Sequence, residues 1–125
     1  MTFYDRSGRP ITYIDDDGES IYRYSGEPVA WLVGENLHAY SGAHLGWLHN
    51  GWVRDHRGNC VFFTENTSGG GPMKPMRQMK PMRGMRQMRP MRGLRRMVPM
   101  RPMASFSWSD VTGEDFFEAD RRLNA

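Results

Sequence analysis

Ten lysine and arginine side chains recur at short intervals in one 33-residue segment. They are the side chains of this chain whose type and spacing most clearly indicate a binding function. Cations at this density bind polyanions, because each can neutralise a phosphate or another anionic group. The candidates are Lys74, Arg77, Lys80, Arg83, Arg86, Arg89, Arg92, Arg95, Arg96 and Arg101. We therefore expect contact with nucleic acid or an anionic membrane surface, without base specificity, because a regular repeat offers no varied readout of base edges.

The histidines and the single cysteine form no pattern that indicates catalysis or metal binding. The histidines are His38, His44, His49 and His56. Their spacing is not that of zinc ligands, and Cys60 has no second cysteine to pair with. The acidic run from Asp15 to Glu19 lacks the ordered ligand pattern of a calcium loop, and no phosphate loop or nucleophile motif occurs. We expect no enzyme, no cofactor and no metal.

The basic residues belong to a triplet tract, residues 72–104. Methionine is the middle residue in ten of its eleven triplets, with Leu94 as the exception, and the third residue is basic in nine. Six triplets begin with proline. A three-residue period with frequent proline predicts polyproline II, since a helix or a strand would scatter the methionines. The tract is then a rod of roughly 100 Å at about 3.1 Å per residue, with stripes of proline, methionine and positive charge.

Charge is segregated along the chain, which leaves several roles open for the tract. Residues 1–71 carry 5 basic and 9 acidic side chains, the tract carries 10 basic and none acidic, and the tail from Ser105 carries 2 basic and 5 acidic. The counter-charge is nucleic acid, anionic lipid or the acidic ends of the chain itself. The tract is then either a stiff linker or a contact surface. In the second case its methionine stripe packs on the aromatic surface of the head, of a second copy or of a partner, or it inserts into a membrane interface.

A second repeat occupies the head, residues 1–68. Gly8, Gly26, Gly42 and Gly58 lie 18, 16 and 16 residues apart. Five residues before each glycine stands an apolar residue, three after it an aliphatic one, and five after it an aromatic one. These core candidates are Phe3, Ile11, Tyr13, Ile21, Val29, Trp31, Leu37, Leu45, Trp47, Val53, Val61 and Phe63.

Each unit of this repeat predicts a β-hairpin. β-branched and aromatic residues flank a glycine turn, and the turns at Asp17-Gly18, Gly34-Glu35 and Asn50-Gly51 join the units. We expect a three-residue loop centred on each repeat glycine, a type I turn followed by left-handed glycine. The fifth residues on either side then face each other, and the apolar positions share one face. Four hairpins predict an all-β, pseudo-four-fold symmetric shallow barrel, or flower.

The head resembles the four-fold β-flower family of small bacterial proteins. The resemblance is carried by Phe3–Gly8, Ile21–Ala30 and Gly51–Phe63, and it extends through the tract to Ser107–Ser109 and Phe116-Phe117. It implies a shallow, symmetric all-β fold with a central channel. It implies no activity and no functional residues.

The remaining segments connect and dock. Residues 69–71 are three glycines and predict a hinge between head and tract. The tail, residues 105–125, predicts a short strand at Ser105–Ser109 and a helix that starts at Thr112 and turns Phe116, Ala119 and Leu123 to one face. Trp108, Phe116 and Phe117 are candidates for docking on the head or on a partner protein. Without a signal peptide or a membrane-spanning apolar run, we expect a cytoplasmic protein.

The functional prediction is a non-enzymatic binding or adaptor protein whose basic tract contacts a polyanion. One alternative is a self-assembling structural protein, a homo-oligomer in which the methionine stripe and the tail pack on neighbouring heads. Another is small-ligand binding or catalysis in the central channel, through a histidine or Cys60.

Overall fold

The computed structural model describes residues 1–118. Its eight strands pair antiparallel in chain order and form one closed barrel, in which β1 returns to β8. The elements are β1 Thr2–Tyr4, β2 Pro10–Ile14, β3 Ser20–Arg23, β4 Pro28–Val33, β5 Asn36–Ala39, β6 His44–His49, β7 Trp52–Arg54, β8 Cys60–Phe63 and helix α1 Gly113–Phe116. The predicted all-β fold of four consecutive hairpins is confirmed. No helix in the described range is long and apolar enough to cross a bilayer.

The hairpin loops end on the repeat glycines instead of being centred on them. Hairpins 1 to 4 are β1–β2, β3–β4, β5–β6 and β7–β8. In hairpin 1, the N–H of Asp5 donates to the carbonyl of Arg9, and the N–H of Gly8 donates to the carbonyl of Asp5. Gly8 has φ +84°. A three-residue loop with left-handed glycine is therefore present as predicted, but it spans Arg6 to Gly8.

A β-bulge beside each loop changes the predicted strand register. In hairpin 1, Tyr4 pairs with Pro10 and Phe3 pairs with Thr12, so Ile11 is the extra residue. The other three hairpins repeat this shift. The predicted pairing of the fifth residues on either side of the glycine is wrong, because a bulge offsets one strand by one residue and reverses which face its side chains occupy.

The core candidates consequently lie on two faces of the barrel. The inner face holds the residues five before each glycine, and all of them are fully buried in one apolar cluster; they are Phe3, Ile21, Leu37 and Val53. The outer face holds the aromatic residues five after it, Tyr13, Trp31, Trp47 and Phe63, which are also buried. The bulge residues Ile11, Val29, Leu45 and Val61 join the inner cluster. The expectation of one shared apolar face is wrong for the same reason as the register.

The turns that join the hairpins differ in length. Gly34-Glu35 and Asn50-Gly51 are two-residue loops as predicted, and both residues of Asn50-Gly51 have positive φ. The Asp17-Gly18 turn belongs to a longer loop, because Asp15 pairs with Ser20 around four residues. The two extra residues of the first repeat spacing lie in this loop.

The tail fills one end of the barrel. Thr112 caps α1, its Oγ1 accepting a hydrogen bond from the N–H of Asp115 at 3.1 Å. Phe116 and Phe117 are buried against Phe62 of the inner face. Side chains of the protein itself therefore fill the centre of the barrel, where the family resemblance had implied a central channel. Of the predicted helical face, Ala119 and Leu123 lie outside the described residues.

The triplet tract wraps the head and does not project as a rod. It has no helix or strand of its own from residue 72 to 104. Its backbone passes the turn glycines of the four hairpins in chain order: an added Cβ at Gly8, Gly26, Gly42 or Gly58 would overlap the carbonyl oxygen of Met76, Met85, Leu94 or Met103. The tract therefore makes one circuit of the barrel.

Substituting alanine for a turn glycine should test this close approach. Gly26 and Gly18 both have positive φ, at +102° and +75°, but only Gly26 faces the tract. We expect Gly18→Ala to cost about 1 kcal/mol of unfolding free energy for the left-handed conformation alone. Gly26→Ala should cost about 1–3 kcal/mol more, because the carbonyl of Met85 must move. Equal losses in urea unfolding would contradict the packing of the tract on hairpin 2.

Candidate functional site

Backbone hydrogen bonds tie the tract to the head once every nine residues. In polyproline II the backbone N–H groups have no internal partners, so they are available to the barrel. In each hairpin the carbonyl of the turn glycine accepts one of them, at 2.8 to 3.1 Å. The donors are Gln78, Gln87, Arg96 and Ser105, the last being the first residue after the tract, and the acceptors are Gly8, Gly26, Gly42 and Gly58. Three triplets therefore span one hairpin.

A second set of first-position residues repeats with the same period. Gly84 and Gly93 donate their N–H groups to the carbonyls of Tyr24 and Tyr40, each at 2.7 Å. A Cβ at either glycine would overlap the carbonyl of Ser25 or Ser41, so glycine is required there. Pro75 and Pro102 hold the matching positions at hairpins 1 and 4. Two glycines nine residues apart were the sequence signal for this register.

The basic side chains lie on the aromatic outer face with the same nine-residue step. Lys74, Arg83, Arg92 and Arg101 stand over the rings of Trp52, Tyr13, Trp31 and Trp47 at 5.9, 3.8, 5.1 and 5.8 Å from the ring centroids. Arg77 stands 5.8 Å from the ring centroid of Tyr4. Such cation–π contacts contribute about 0.5–1 kcal/mol each at exposed sites. These cations attach the tract to the head and shield the aromatic face from water.

Five of the ten cations also pair with carboxylates of the head. The pairs are Lys80–Glu65, Arg86–Asp15, Arg89–Asp17, Arg92–Glu19 and Arg101–Glu35. Burial works against ionisation of Asp17, yet hydrogen bonds from Ser20 and Glu19 and the charge of Arg89 lower its pKa to about 2. The acidic head is thus one counter-charge of the tract, as one of the sequence alternatives held.

Other polyanion candidates keep a charge without a carboxylate partner. Among residues 1–118, Lys74, Arg77, Arg83 and Arg95 have no carboxylate within ion-pair distance. Lys74, Arg77 and Arg83 lie in the first arc of the tract, residues 72–83. The second arc, residues 84–92, has Arg86, Arg89 and Arg92 paired with the acidic loop that joins hairpins 1 and 2.

The middle residue of every triplet points to solvent. These eleven side chains, which we call the apolar row, are Met73, Met76, Met79, Met82, Met85, Met88, Met91, Leu94, Met97, Met100 and Met103. Each is 90–94% exposed. The first residue of every third triplet is part-buried against the head, at Pro75, Gly84, Gly93 and Pro102, and most third residues reach its rings and carboxylates, whereas every middle residue points outward. The row follows the circuit of the tract around the barrel.

Arg54 connects the two ends of the tract and was missed by sequence reasoning. Its buried guanidinium donates to the carbonyls of Gly58 and Ser105 at 2.7 Å each, and to the carbonyl of Gly70 at 3.0 Å. The glycine segment is therefore packed against the head, and Gly71 lies against the ring of Trp52. The signal was an arginine at a repeat position where the other hairpins have tyrosine or histidine.

The tail continues from the second end of the tract onto β8. Cys60 donates its N–H to the carbonyl of Ser107 and accepts from the N–H of Ser109, which makes a one-residue parallel bridge with Trp108. Trp108 packs on Trp52 at 6.2 Å between ring centroids. The predicted strand is thus a single bridge. Trp108, Phe116 and Phe117 all pack on the head of their own chain.

Three histidines come together although their spacing in sequence indicates no site. Nδ1 of His44 lies 2.9 Å from Nε2 of His56, and Nε2 of His44 lies 3.2 Å from Oδ1 of Asn36. The ring of His38 meets His44 edge-on at 5.3 Å. Burial, followed by the neighbouring histidines, lowers the pKa of His44 to about 4. Within residues 1–118 no group of three His, Cys, Asp or Glu side chains has the geometry to hold a metal ion.

These features define a small β-barrel of four hairpins that carries its own encircling proline- and methionine-rich tract. The chain belongs to the 4-fold beta flower protein family, whose model matches residues 1–117. The match includes the head, the tract and most of the described tail. No curated protein and no solved structure matches the chain significantly.

Removing one triplet should test the nine-residue register. Met97, Val98 and Pro99 make no hydrogen bond or ion pair with the rest of the described chain, and their deletion preserves the three-residue period. It shortens the segment between Arg96 and Ser105 by roughly 9 Å, so Arg101 and Ser105 cannot both reach hairpins 3 and 4. We expect a loss of about 1–3 kcal/mol in urea unfolding. Val98→Arg, which keeps the length, should lose less than about 0.5 kcal/mol; equal stability of both variants would contradict the register.

Acidification should destabilise the protein through His44. The folded pKa of about 4 lies below the ordinary value of 6.5, so the unfolded chain binds a proton first. The stabilisation is complete above pH 6.5 and is lost as the pH falls toward 4, by about 2 kcal/mol between pH 7 and pH 5. Urea unfolding at the two pH values measures it. Hairpins 1 and 2 have proline at the position of His44. His44→Pro should therefore reduce the loss of unfolding free energy between pH 7 and pH 5, and His49→Gln should not. A wild-type free energy of unfolding that is the same at pH 7 and pH 5 would contradict the burial of a neutral His44.

Proposed function

We propose that this protein is a non-enzymatic binding module that docks on the cytoplasmic face of an anionic membrane through its apolar row. The observation that carries the proposal is the exposure of eleven large apolar side chains in one continuous series. The largest apolar patch of an ordinary soluble monomer covers a few hundred Å² and is often functional. Eleven large apolar side chains exposed along one segment differ from the single scattered residues of ordinary surfaces, and such exposure marks an interaction surface.

The cations beside the row supply the preference for an anionic surface. Lys74, Arg77 and Arg83, which have no carboxylate partner among residues 1–118, lie next to Met73, Met76, Met79 and Met82 in the sequence. A lysine or arginine near an anionic leaflet contributes about 1 kcal/mol. The three arginines of the second arc are paired with carboxylates, so that arc attracts an anionic leaflet less strongly. We therefore assign the leading contact to residues 72–83.

Methionine suits insertion into the interface between headgroups and acyl chains. Its side chain is flexible and polarizable, and it adapts to an irregular surface without a matching pocket. Shallow burial of an apolar face beside basic side chains is the general mode of interfacial binding. Backbone ties every nine residues hold the row in place, so the entropy cost of ordering the tract has been met during folding.

Nucleic acid, the other polyanion considered, accounts for fewer of these features. Single strands bind through cations and stacking on exposed aromatic rings, but here the tract covers the aromatic face. At least five cations have carboxylate partners on the head, and the methionines would stay in water. A second copy docked row to row would bring the cations of Lys74, Arg77 and Arg83 against their own equivalents, which like-charge repulsion opposes.

Vesicle co-sedimentation tests the proposal. Full-length protein should bind vesicles of phosphatidylcholine with a third phosphatidylglycerol at 50 mM salt, and bind pure phosphatidylcholine at least about tenfold more weakly. The triple variant Met76→Ser, Met79→Ser, Met82→Ser should lose on the order of 100-fold in affinity, because each of the three methionines loses about 1 kcal/mol of apolar burial. The matched variant Met85→Ser, Met88→Ser, Met91→Ser, in the second arc, should lose clearly less.

Three results would overturn this assignment. One is no binding to anionic vesicles. Another is binding of a mixed-sequence DNA duplex with a steep salt dependence and no vesicle binding, which would assign the tract to nucleic acid. The third is a dimer that persists at 500 mM salt in light scattering and whose formation requires the row, which would assign the row to a second copy.

A further inference from the structure

The fold does not require sulfur in the apolar row. Leu94 occupies the same triplet position as the ten methionines, its carbonyl contacts the turn glycine of hairpin 3, and its side chain is 93% exposed. A leucine is therefore compatible with the ties of the tract. Ten methionines in the remaining places offer a chemistry that leucine lacks, since a thioether can be oxidised reversibly.

We propose that the methionines of the apolar row are a modification site for peroxide-class oxidants, and that their conversion to methionine sulfoxide releases the protein from the membrane. The inference rests on the proposed function, because it names the regulation of the same surface. The reaction is a two-electron oxygen transfer. The sulfur lone pair attacks one peroxide oxygen, the S–O bond forms as the O–O bond breaks, and proton transfer lets the other oxygen leave as water. Sulfur is oxidised and the peroxide is reduced.

Accessibility directs the oxidant to the row. The ten thioethers are open to solvent on all sides of the barrel. The competing thiol is Cys60, which is fully buried, and desolvation raises its pKa to about 11. The thiolate is the reactive form of cysteine, so Cys60 is a poor competitor at neutral pH. Met1, the one methionine outside the row, is only half-exposed.

Oxidation would change the surface without disturbing the fold. A sulfoxide is polar, so it removes the apolar character on which interfacial insertion depends. The tract is held by backbone hydrogen bonds, by its first-position residues and by cations over aromatic rings. The methionine side chains contribute to none of these contacts. Thiol-dependent sulfoxide reductases, which reverse the reaction, would find the same side chains accessible.

The test compares vesicle binding before and after treatment with hydrogen peroxide. Intact mass should rise by about 16 Da per oxygen and approach eleven oxygens, one for each methionine of the chain. Near-UV circular dichroism should stay unchanged, and affinity for the phosphatidylglycerol vesicles should fall at least about tenfold. A variant with all ten row methionines changed to leucine should gain one oxygen, at Met1, and its affinity ratio before and after treatment should stay near one whatever its starting affinity.

A smaller variant keeps the test informative if the ten-leucine chain does not fold. Met73→Leu, Met76→Leu, Met79→Leu, Met82→Leu protects the first arc, and its affinity should fall less on oxidation than that of wild type. Unchanged binding by fully oxidised wild type would overturn the inference and leave the membrane proposal standing. Loss of binding by the leucine variants to the same degree, or loss of the circular dichroism signal, would also overturn it. Failure of untreated wild type to bind would overturn the proposed function and the inference together.

Discussion

The structure depends on the backbone hydrogen bonds between the tract and the carbonyls of the four turn glycines. Polyproline II leaves its N–H groups unpaired, and a left-handed glycine turn presents a carbonyl without a Cβ in the way. Because the ties recur every nine residues, three complete triplets fit each hairpin, and the same triplet position donates the hydrogen bond at every tie. The cation stacking, the ion pairs and the outward direction of every methionine all follow from this register.

The register also explains how so small a barrel is stabilised. A head of some 65 residues buries only about 60% of its unfolded surface, and the bulges put all four aromatic residues that follow the repeat glycines by five positions on the outside. The tract shields Tyr13, Trp31 and Trp47, while Phe116 and Phe117 fill the inside. Head, tract and tail therefore stabilise one another, and the apolar surface left over is concentrated in the methionines.

The repeats predicted the hairpins, the glycine turns and the periodicity of the tract, because these are local properties of spacing and residue type. The bulge was not predictable from the same spacing. Phe3 and Tyr13 are both apolar, so their residue types do not show that Phe3 lies inside the barrel and that Tyr13 lies on its outer face under the tract. Gly84 and Gly93 indicated a nine-residue period, but their acceptors Tyr24 and Tyr40 are some 50 to 60 residues away in sequence. The meeting of His44 with His56 and the bridging role of Arg54 likewise depend on tertiary contacts.

Small-angle X-ray scattering on the pure protein tests the central claim, that the tract encircles the head, most directly. Measured at about 50 mM and 500 mM salt, a wrapped chain of 125 residues should give a radius of gyration of about 14 Å at both. The backbone ties and stacked cations do not rely on long-range charge, so salt should change little. A maximum dimension near 100 Å, at either salt, would mean an extended polyproline II rod and would contradict the account.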